Sequence, residues 1–424
     1  MTVRTRFAPS PTGQVHIGNI RAAIYNWLFA RHHGGQFLLR VEDTDRERST
    51  PEAVKTVLDS MEWLGLNFDE PALYQTTQKE KHLAAAEDLL RRGLAYKFDK
   101  GGTGKEAVLF KMPGENMEFT DLIKGTMRKE AKDMQDFVIV RSDGNPVFHL
   151  GNVIDDVTMS VTHVIRGDDH VENTFRHIAL FRAIGAAIPQ YAHLPMIVNA
   201  QGKPYSKRDG AAFVGDFREQ GYEAAALFNY LTLIGWSPGG DREMMTRDEM
   251  VQLFTLDRVQ SKAGQFDLKK FQKMNVWYLQ QAPDATWVQK FREIFPQADA
   301  EMLAKVIPLM KPRVRNWKEI PSAIYFFSED FPVDAVAKEK VLGAQAAKDL
   351  AVAARDALAA LATFDAPSIE AALCSVADSR GLKHVDVKQP VRVAVTGVAG
   401  GPDLAQSLAI LGRERSLSRI GRAL

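Results

Sequence analysis

The chain has 424 residues, of which 45% are hydrophobic and 25% are charged; these values are typical of a globular protein with roughly two to four domains and exclude a fibrous or largely disordered chain. With 54 basic and 53 acidic residues the net charge is only +1, so any site for a polyanion must be a local patch. The single cysteine, Cys374, excludes a disulfide framework and a multi-cysteine zinc site within the chain, and it favours a reducing, cytoplasmic setting.

Strand and helix patterns alternate in the first third of the chain. Residues 3–8 predict a strand, and apolar side chains along one side of residues 18–33 predict a helix. A buried strand is expected at 37–41, and Thr50-Pro51 predicts the start of the next helix through a cap and a first-turn proline. This alternation favours an α/β core with parallel strands and crossover helices.

A strand-rich stretch then interrupts the α/β pattern. Gly93 ends a helix predicted at 79–92, and the strands expected around 107–111 and 137–140 indicate an insertion. The α/β pattern is expected to resume with three strands and a helix, at 146–150, 161–165, 196–198 and 172–184. The core is therefore predicted to be split in sequence by the insertion.

From Tyr222 onward nearly every periodic segment is helical, so the last third is predicted to be all-α. Its clearest helices are expected at 224–235, 287–295, 301–310 and 338–364. The N-terminus lacks the apolar core of a signal peptide, and charges interrupt every longer apolar stretch. Neither export nor a membrane span is therefore expected.

Two polar segments are candidates for a nucleotide site. The first lies between the first strand and the first helix and contains His16 and Gly18; a helix N-terminus offers free N–H groups to phosphates there, and glycine lets a nucleotide approach the backbone. The second is the glycine-flanked loop 202–210, which follows a strand and contains Lys207. Each alone also fits an ordinary loop histidine or basic turn, but together they predict a bipartite ATP site.

Further motifs accompany these two segments in a consistent order along the chain. They are Arg6-Phe7-Ala8-Pro9-Ser10-Pro11-Thr12-Gly13, His16-Ile17-Gly18-Asn19, Arg40-Val41-Glu42-Asp43-Thr44-Asp45, Val164-Ile165-Arg166-Gly167-Asp168-Asp169-His170, Ser206-Lys207-Arg208, Asn229-Tyr230-Leu231 before Gly235-Trp236, Phe266-Asp267-Leu268 and Leu411-Gly412-Arg413-Glu414-Arg415-Ser416-Leu417-Ser418-Arg419. With these motifs the chain resembles the glutamyl-tRNA synthetases, a family of class I aminoacyl-tRNA synthetases, over nearly its whole length.

The resemblance implies a Rossmann-type α/β catalytic core split by an α+β insertion and followed by an all-α anticodon-binding region. The expected parts are the first half of the core at 1–80, an acceptor-stem-binding insertion at 81–147, the second half of the core at 148–200, a lysine-loop and stem-contact region at 201–283 and the α-helical anticodon-binding region at 284–424.

The resemblance also implies a glutamate–tRNA ligase, which uses ATP with Mg²⁺ to convert L-glutamate to glutamyl-adenylate and transfers it to the 3′ end of tRNA(Glu). Because an already ionised carboxylate attacks the α-phosphate, such an enzyme chiefly positions its substrates and neutralises charge. His16, Gly18 and Lys207 are the implied catalytic residues. The implied ATP-binding residues are His16, Gly18, Asn19, Ser206, Lys207 and Arg208.

The implied glutamate-binding residues are Arg6, Ser10, Glu42, Phe148, Asn152 and Arg166. Arg6 and Arg166 are expected to bind the side-chain carboxylate, because guanidinium groups pair with carboxylates in a fork geometry that the neutral amide of glutamine cannot match. Glu42 is expected to bind the ammonium group, with Ser10 and Asn152 as hydrogen-bonding companions.

Three positions depart from the family pattern, namely Asn19 in place of histidine, Pro204 in place of a cation, and Phe148 in place of tyrosine. They keep an alternative open, that of a non-catalytic or tRNA-modifying paralogue. The presence of His16 and Lys207 and the long helical C-terminal region speak against this alternative.

The expected partners are L-glutamate and tRNA(Glu), with tRNA(Gln) as a second candidate, and the protein is expected to be a cytoplasmic monomer without a metal site. Residues 96–111 carry no cysteine, so no structural zinc is expected there. Two cationic clusters of the C-terminal region are candidates for RNA contacts, although a solvated helix face is the simpler explanation for any one member. They consist of Lys311, Arg313, Arg315 and Lys318, and of Arg413, Arg415, Arg419 and Arg422.

Overall fold

The computed structural model describes residues 2–45, 48–99, 101–102 and 104–424. The chain forms two compact units, Met1–Met274 and Asn275–Leu424. Within the described residues, no helix is both long and apolar enough to cross a membrane.

The first unit opens with alternating strands and helices, as predicted. Its first elements are β1 (Arg4–Phe7), α1 (Ile17–His32), β2 (Gln36–Val41), α2 (Pro51–Trp63) and β3 (Leu73–Tyr74). The three strands pair in parallel in the order β1-β2-β3. The predicted cap of α2 is confirmed, because Thr50 Oγ1 accepts a hydrogen bond from Ala53 N at 3.2 Å and Pro51 stands in the first turn.

The insertion follows as a helix and two small antiparallel arrangements. Its elements are α3 (Lys79–Arg91), β4 (Ala95–Phe98), β5 (Ala107–Phe110), β6 (Met117–Asp121), β7 (Gly125–Lys129) and β8 (Phe137–Val140). Strands β4, β5 and β8 form one sheet, and β6 and β7 form a hairpin. Leu89 and Phe110 of the insertion join Leu38 of β2 in one buried apolar cluster, so ordinary packing holds the insertion against the core.

The second half of the core completes the α/β unit. Its elements are α4 (Phe148–Thr158), β9 (His163–Gly167), α5 (Val171–Ile184), β10 (Gln190–Leu194) and β11 (Ile197–Val198). Strand β10 pairs in parallel with β9 and with β6 of the insertion, giving the order β7-β6-β10-β9. Thr162 N donates to Arg4 O at 2.9 Å, so the beginning of β9 lies beside β1.

The strand predicted at 146–150 is wrong, because α4 begins at Phe148. The short apolar run is the first turn of a helix, and Leu150 and Val153 continue it at helical spacing into the buried cluster. A run of this length does not distinguish a strand from a helix by periodicity alone.

The remainder of the first unit is largely helical and carries the loop 202–210. Its elements are α6 (Val214–Glu219), α7 (Ala224–Leu233), α8 (Arg247–Leu253), β12 (Gly264–Gln265) and α9 (Leu268–Gln281), the last of which contains the boundary of the unit. Strand β12 pairs in parallel with β11.

The second unit is all-α in the part of the chain that is described, as predicted. Its helices are α10 (Asp284–Ile294), α11 (Ala300–Met310), α12 (Ile324–Phe327), α13 (Ala335–Leu342), α14 (Gln345–Ala359), α15 (Ala366–Asp378), α16 (His384–Thr396), α17 (Leu404–Leu411) and α18 (Arg413–Ala423). The single helix predicted at 338–364 is wrong: Gly343 ends α13, and Ala344 takes an extended conformation before α14 begins. The alanine-rich composition conceals this break, because alanine favours a helix on both sides of it.

Candidate active site

A cavity of about 690 Å³ opens where β1, β9 and β10 end and α1 begins. This is the edge at which open α/β sheets bind their ligands. Nine of the residues expected to form the site line it, namely Arg6, Ser10, His16, Gly18, Asn19, Glu42, Phe148, Asn152 and Arg166. Ser206, Lys207 and Arg208 do not line it, although their neighbours Pro204 and Tyr205 do.

The histidine turn and the lysine loop meet directly. His16 caps α1, and its Nδ1 accepts a hydrogen bond from Gly18 N at 3.0 Å. Its Nε2–H donates to Tyr205 O at 2.9 Å, which joins two residues that are 189 positions apart. Burial lowers the pKa of His16, so the imidazole is neutral with the proton on Nε2.

The lysine loop has a defined local structure around an exposed ammonium group. Ser206 N and Oγ donate to Asp209 Oδ2 at 2.9 and 3.0 Å, and Asn199 Nδ2 donates to Asp209 Oδ1 at 2.8 Å. Lys207 lies in the resulting short turn, with its Nζ 5.8 Å from the ring centroid of Phe213. No described carboxylate forms an ion pair with Lys207, so its ammonium group is available to an anionic ligand.

A buried chain of charged groups runs beneath the cavity from β1 to α4. Arg6 Nε donates to Asp156 Oδ1 at 3.1 Å, and Arg40 also pairs with Asp156. Burial alone would raise the pKa of Asp156, but the guanidinium groups of Arg40 and Arg6 keep it below its ordinary value. Arg40 Nη2 and Asn152 Nδ2 then donate to Glu42 Oε1 at 3.1 and 3.0 Å, so both of these bonds use one carboxylate oxygen.

Arg166 has a different environment from Arg6. It is 8% exposed, and its guanidinium donates to Thr174 Oγ1 at 2.8 Å, His193 Nε2 at 3.3 Å and His170 O at 3.3 Å. Burial lowers the pKa of Arg166 to about 10, so the group remains charged at neutral pH. Among the described residues no carboxylate forms an ion pair with it.

Two further features of the lining bear on ligand binding. Asn152 Oδ1 is buried and accepts no hydrogen bond from any described group, so it is an acceptor without a donor. Phe148 begins α4, and its ring centroid lies 5.6 Å from that of His177 and 5.9 Å from that of His170. Within the described part of the chain, no group of three or more His, Cys, Asp or Glu residues is arranged to hold a metal ion.

Sequence reasoning missed Arg40 and Asp156, which hold the charged chain together. Arg40 stands two residues before Glu42 on a strand and so shares its face, and Asp156 stands four residues after Asn152 on a helix. These spacings were signals that could have been used. Arg21 was also missed: it lines the cavity, is buried, and donates to Ile234 O at 3.1 Å and to Pro195 O.

Several of the cations considered for RNA contacts instead have structural contacts in the second unit. Arg419 is 2% exposed and donates to the carbonyl oxygens of Tyr325 and Ser328, each at 2.8 Å. Arg413 donates to carbonyl oxygens near the end of α14, and Lys311 donates to Ala282 O at 3.0 Å. By contrast, Arg313 and Arg315 line a shallow cavity together with Val276 and Pro312.

Comparison with known proteins identifies the family. The model of the class I tRNA synthetase catalytic domain for E and Q (glutamate and glutamine) matches residues 2–103 and 100–273, and the model of an anticodon-binding domain matches 278–424.

Individual relatives agree with the family match. The chain is 41% identical to glutamate–tRNA ligase 1 of Gluconacetobacter diazotrophicus, over 99% of both chains, and 39% identical to the glutamate–tRNA ligase of Xanthomonas euvesicatoria, over 100% of this chain and 99% of the relative. A crystal structure of a glutamate tRNA ligase from Elizabethkingia meningosepticum in complex with its amino acid has a TM-score of 0.88 and 29% identity, covering 100% of this chain and 99% of that one. The chain therefore belongs to the class I tRNA synthetases of the glutamate and glutamine family.

Proposed function

We propose that the chain is a glutamate–tRNA ligase, which activates L-glutamate with ATP and transfers it to the 3′ end of tRNA(Glu). The observation that carries this proposal is the buried guanidinium of Arg166, which faces the cavity and has no described carboxylate as a partner. A buried charge without a counter-ion is costly, and a ligand carboxylate supplies the missing partner. The names of the curated relatives support the same activity.

The amino acid is proposed to bind by its two ends to opposite charges of the cavity. Arg166 and Arg6 bind the side-chain carboxylate, while Glu42 and Asn152 bind the ammonium group. The unpartnered Oδ1 of Asn152 and the unused Oε2 of Glu42 are acceptors for ammonium N–H donors. Ser10 and Phe148 complete the lining.

Activation is proposed to take place at the start of α1. The α-carboxylate of glutamate attacks the α-phosphate of ATP, the P–O bond to pyrophosphate breaks, and pyrophosphate leaves with the bonding electron pair. His16 and Lys207 donate hydrogen bonds to the phosphate oxygens, and the backbone at Gly18 and Asn19 lies against the nucleotide. Because His16 Nε2–H is bonded to Tyr205 O, it reaches phosphate only when the loop 202–210 shifts.

The loop also brings Ser206 and Arg208 towards the phosphates in this proposal. Magnesium ions would enter with ATP, which fits a chain whose described residues form no acidic cluster for a metal. Bound Mg²⁺ supplies neutralisation of phosphate charge. No structural zinc is expected, and this stays a prediction.

The tRNA is proposed to contact both units. Residues 81–147 bind the acceptor stem, 201–283 form the stem-contact region between the core halves (1–80 and 148–200) and the C-terminal part, and 284–424 bind the anticodon. In the second unit, Arg313 and Arg315 are the favoured cations, because they line an open surface cavity while Arg419 is buried. The protein is proposed to act as a cytoplasmic monomer.

The alternative of a non-catalytic or tRNA-modifying paralogue rests on Asn19, Pro204 and Phe148. The anticodon-binding region matched at 278–424 favours the ligase, because a tRNA-modifying paralogue would not need it.

Charging of purified tRNA(Glu) and tRNA(Gln) with labelled glutamate tests the proposal, with labelled glutamine as the control and no zinc added. Charging of tRNA(Glu) alone is the expected result for a discriminating enzyme, and charging of both indicates a non-discriminating one. Absence of charging on either tRNA would favour the paralogue.

A further inference from the structure

A buried carboxylate of the insertion contacts a histidine that in turn contacts Arg166. Asp121 ends β6, and its Oδ1 accepts hydrogen bonds from Ile123 N and Lys124 N at 2.9 and 2.8 Å. Its Oδ2 lies 2.6 Å from Nδ1 of His193, and both side chains are fully buried. Asp121 thus joins the tight turn of the β6–β7 hairpin to strand β10.

The direction of these hydrogen bonds follows from the chemistry of the groups. The Asp121 carboxylate only accepts, so His193 carries its proton on Nδ1, and burial keeps the imidazole neutral by lowering the pKa of His193. Nε2 of His193 is therefore an acceptor, and Arg166 Nε donates to it at 3.3 Å. Donors run in one direction, from Arg166 through His193 to Asp121.

The same turn also contacts the end of β9. Lys124 Nζ forms an ion pair with Asp168 Oδ2 at 2.7 Å and donates to Ser261 O at 3.1 Å. Asp168 stands two residues after Arg166, immediately beyond β9. The turn 121–125 is therefore connected to the Arg166 segment both through a side-chain relay and through an ion pair.

We propose that Asp121 and His193 are positioning residues that orient the Arg166 guanidinium for the anionic ligand, and that they thereby couple the insertion to the amino-acid site. The relay holds Nε, while Thr174 and His170 hold Nη2, so the Nη1 side is presented to the cavity. This inference rests on the proposed role of Arg166 in binding glutamate.

The test is Asp121→Asn, which keeps the size of the side chain. If the new Oδ1 retains the backbone donors of Ile123 and Lys124, its Nδ2 faces His193 and forces the proton to Nε2. That nitrogen then presents a donor to the donor of Arg166, as a wrong tautomer does in other relays. KM for glutamate is expected to rise by about tenfold or more, with kcat and KM for ATP within about twofold of the unsubstituted chain.

A matched control separates positioning from general loosening. Asp155 and His82 form another buried pair, also at 2.6 Å, in which the histidine makes no described contact with Arg166. Asp155→Asn is expected to lower the melting temperature while changing KM for glutamate much less than Asp121→Asn does. An equal rise in KM for glutamate in both variants would overturn the proposal, and so would an unchanged KM in Asp121→Asn.

A second measurement needs no variant in the relay to fold. Nitrogen NMR of the full chain with labelled histidine is expected to show His193 as the neutral tautomer with the proton on Nδ1, with His193→Gln used only to assign the signal. A proton on Nε2 would overturn the relay. Charging of tRNA by the unsubstituted chain decides the proposed function separately, because a chain that charges normally can still show the wrong tautomer.

Discussion

Arg6 and Arg166 are both buried beside the same cavity, yet their neighbours give them different roles. Arg6 shares Asp156 with Arg40, so its charge is already compensated within the protein. Arg166 is bonded to neutral groups only, so its charge is compensated when an anion binds. Arg166 is therefore expected to contribute more to glutamate affinity than Arg6, whose removal also disturbs the ion pairs below the site.

Arg166→Ala is expected to raise KM for glutamate by about 10- to 100-fold, because a hydrogen bond to a charged group contributes about 1.5–3 kcal/mol. KM for ATP is expected to change little. Arg166→Lys, which keeps the charge but loses the fork, serves as the matched comparison and is expected to fall between the two. Steady-state charging kinetics with varied glutamate measure the effect; an unchanged KM in both variants would contradict the assigned role.

Lys207→Ala is expected to slow adenylate formation by about 10²- to 10³-fold, because a cation that stabilises developing phosphate charge is lost. Affinity for tRNA is expected to stay nearly intact. Lys203→Ala, in the same loop and equally exposed, is the control. Pyrophosphate exchange in the presence of tRNA measures activation, and filter binding measures tRNA affinity; near-normal exchange would remove Lys207 from the mechanism.

At the scale of secondary-structure elements, helix α18 shows how a cationic face can be structural. Arg415, Arg419 and Arg422 lie three and four residues apart and therefore point to one side of the helix. All three pair with Glu329, at 2.7, 3.0 and 2.6 Å, and Arg419 also holds backbone carbonyl oxygens. These contacts tie the last helix to the segment that follows α12.

The cluster predicts a pH dependence of stability. The three arginines lower the pKa of Glu329 to about 2, against about 4.3 in an unfolded chain. Its contribution is thus present above about pH 4.3 and lost as the pH falls towards 2. Glu329 is 49% exposed, so solvent screens part of the effect.

Glu329→Gln is the variant that tests this dependence. It is expected to unfold at a lower denaturant concentration than the unsubstituted chain at pH 7, and the two midpoints are expected to converge below about pH 4.3. Urea titrations at several pH values measure the difference between the two chains, in which the other carboxylates cancel. A difference that stays constant with pH would contradict the ion-pair explanation.

At the scale of the whole molecule, each unit has a core of its own. The core of the second unit is drawn from residues between Leu279 and Ile420 and is centred on large side chains such as Trp287, Phe291 and Phe326. The first unit buries its own cluster, in which the insertion and the α/β core share side chains. A separate core is the physical condition for independent folding.

Residues 268–424, which include the whole of α9, are therefore expected to fold when expressed alone. Far-ultraviolet circular dichroism should show a helical spectrum with a cooperative thermal transition, and the fragment should have no activation activity. A matched fragment that begins at 284 lacks α9, including Leu279 of the core, and is expected to melt at a lower temperature. A featureless melt of the 268–424 fragment would show that its core is incomplete.

Local patterns were sufficient for much of the fold and for the members of the candidate site. The alternation of strands and helices, the all-α last third and the cap at Thr50 depend on residues close in sequence, and the structure agrees with them. Errors arose where a local pattern was ambiguous, as in the helix start at Phe148 and in the break at Gly343. Motif order indicated His16 and Arg166, because their type and position were recognisable without knowing their neighbours.

The sequence by itself determined which chemical groups are available, since the motifs supply two distant halves of a nucleotide site and the cations of an amino-acid site. Only the tertiary structure decided how these groups are paired. Asp156 lies 150 residues from Arg6, and Tyr205 lies 189 residues from His16, so their contacts depend on strand order and helix packing. The physical reason is that burial and partner determine the charge a side chain offers to a ligand, and both arise only when distant segments come together.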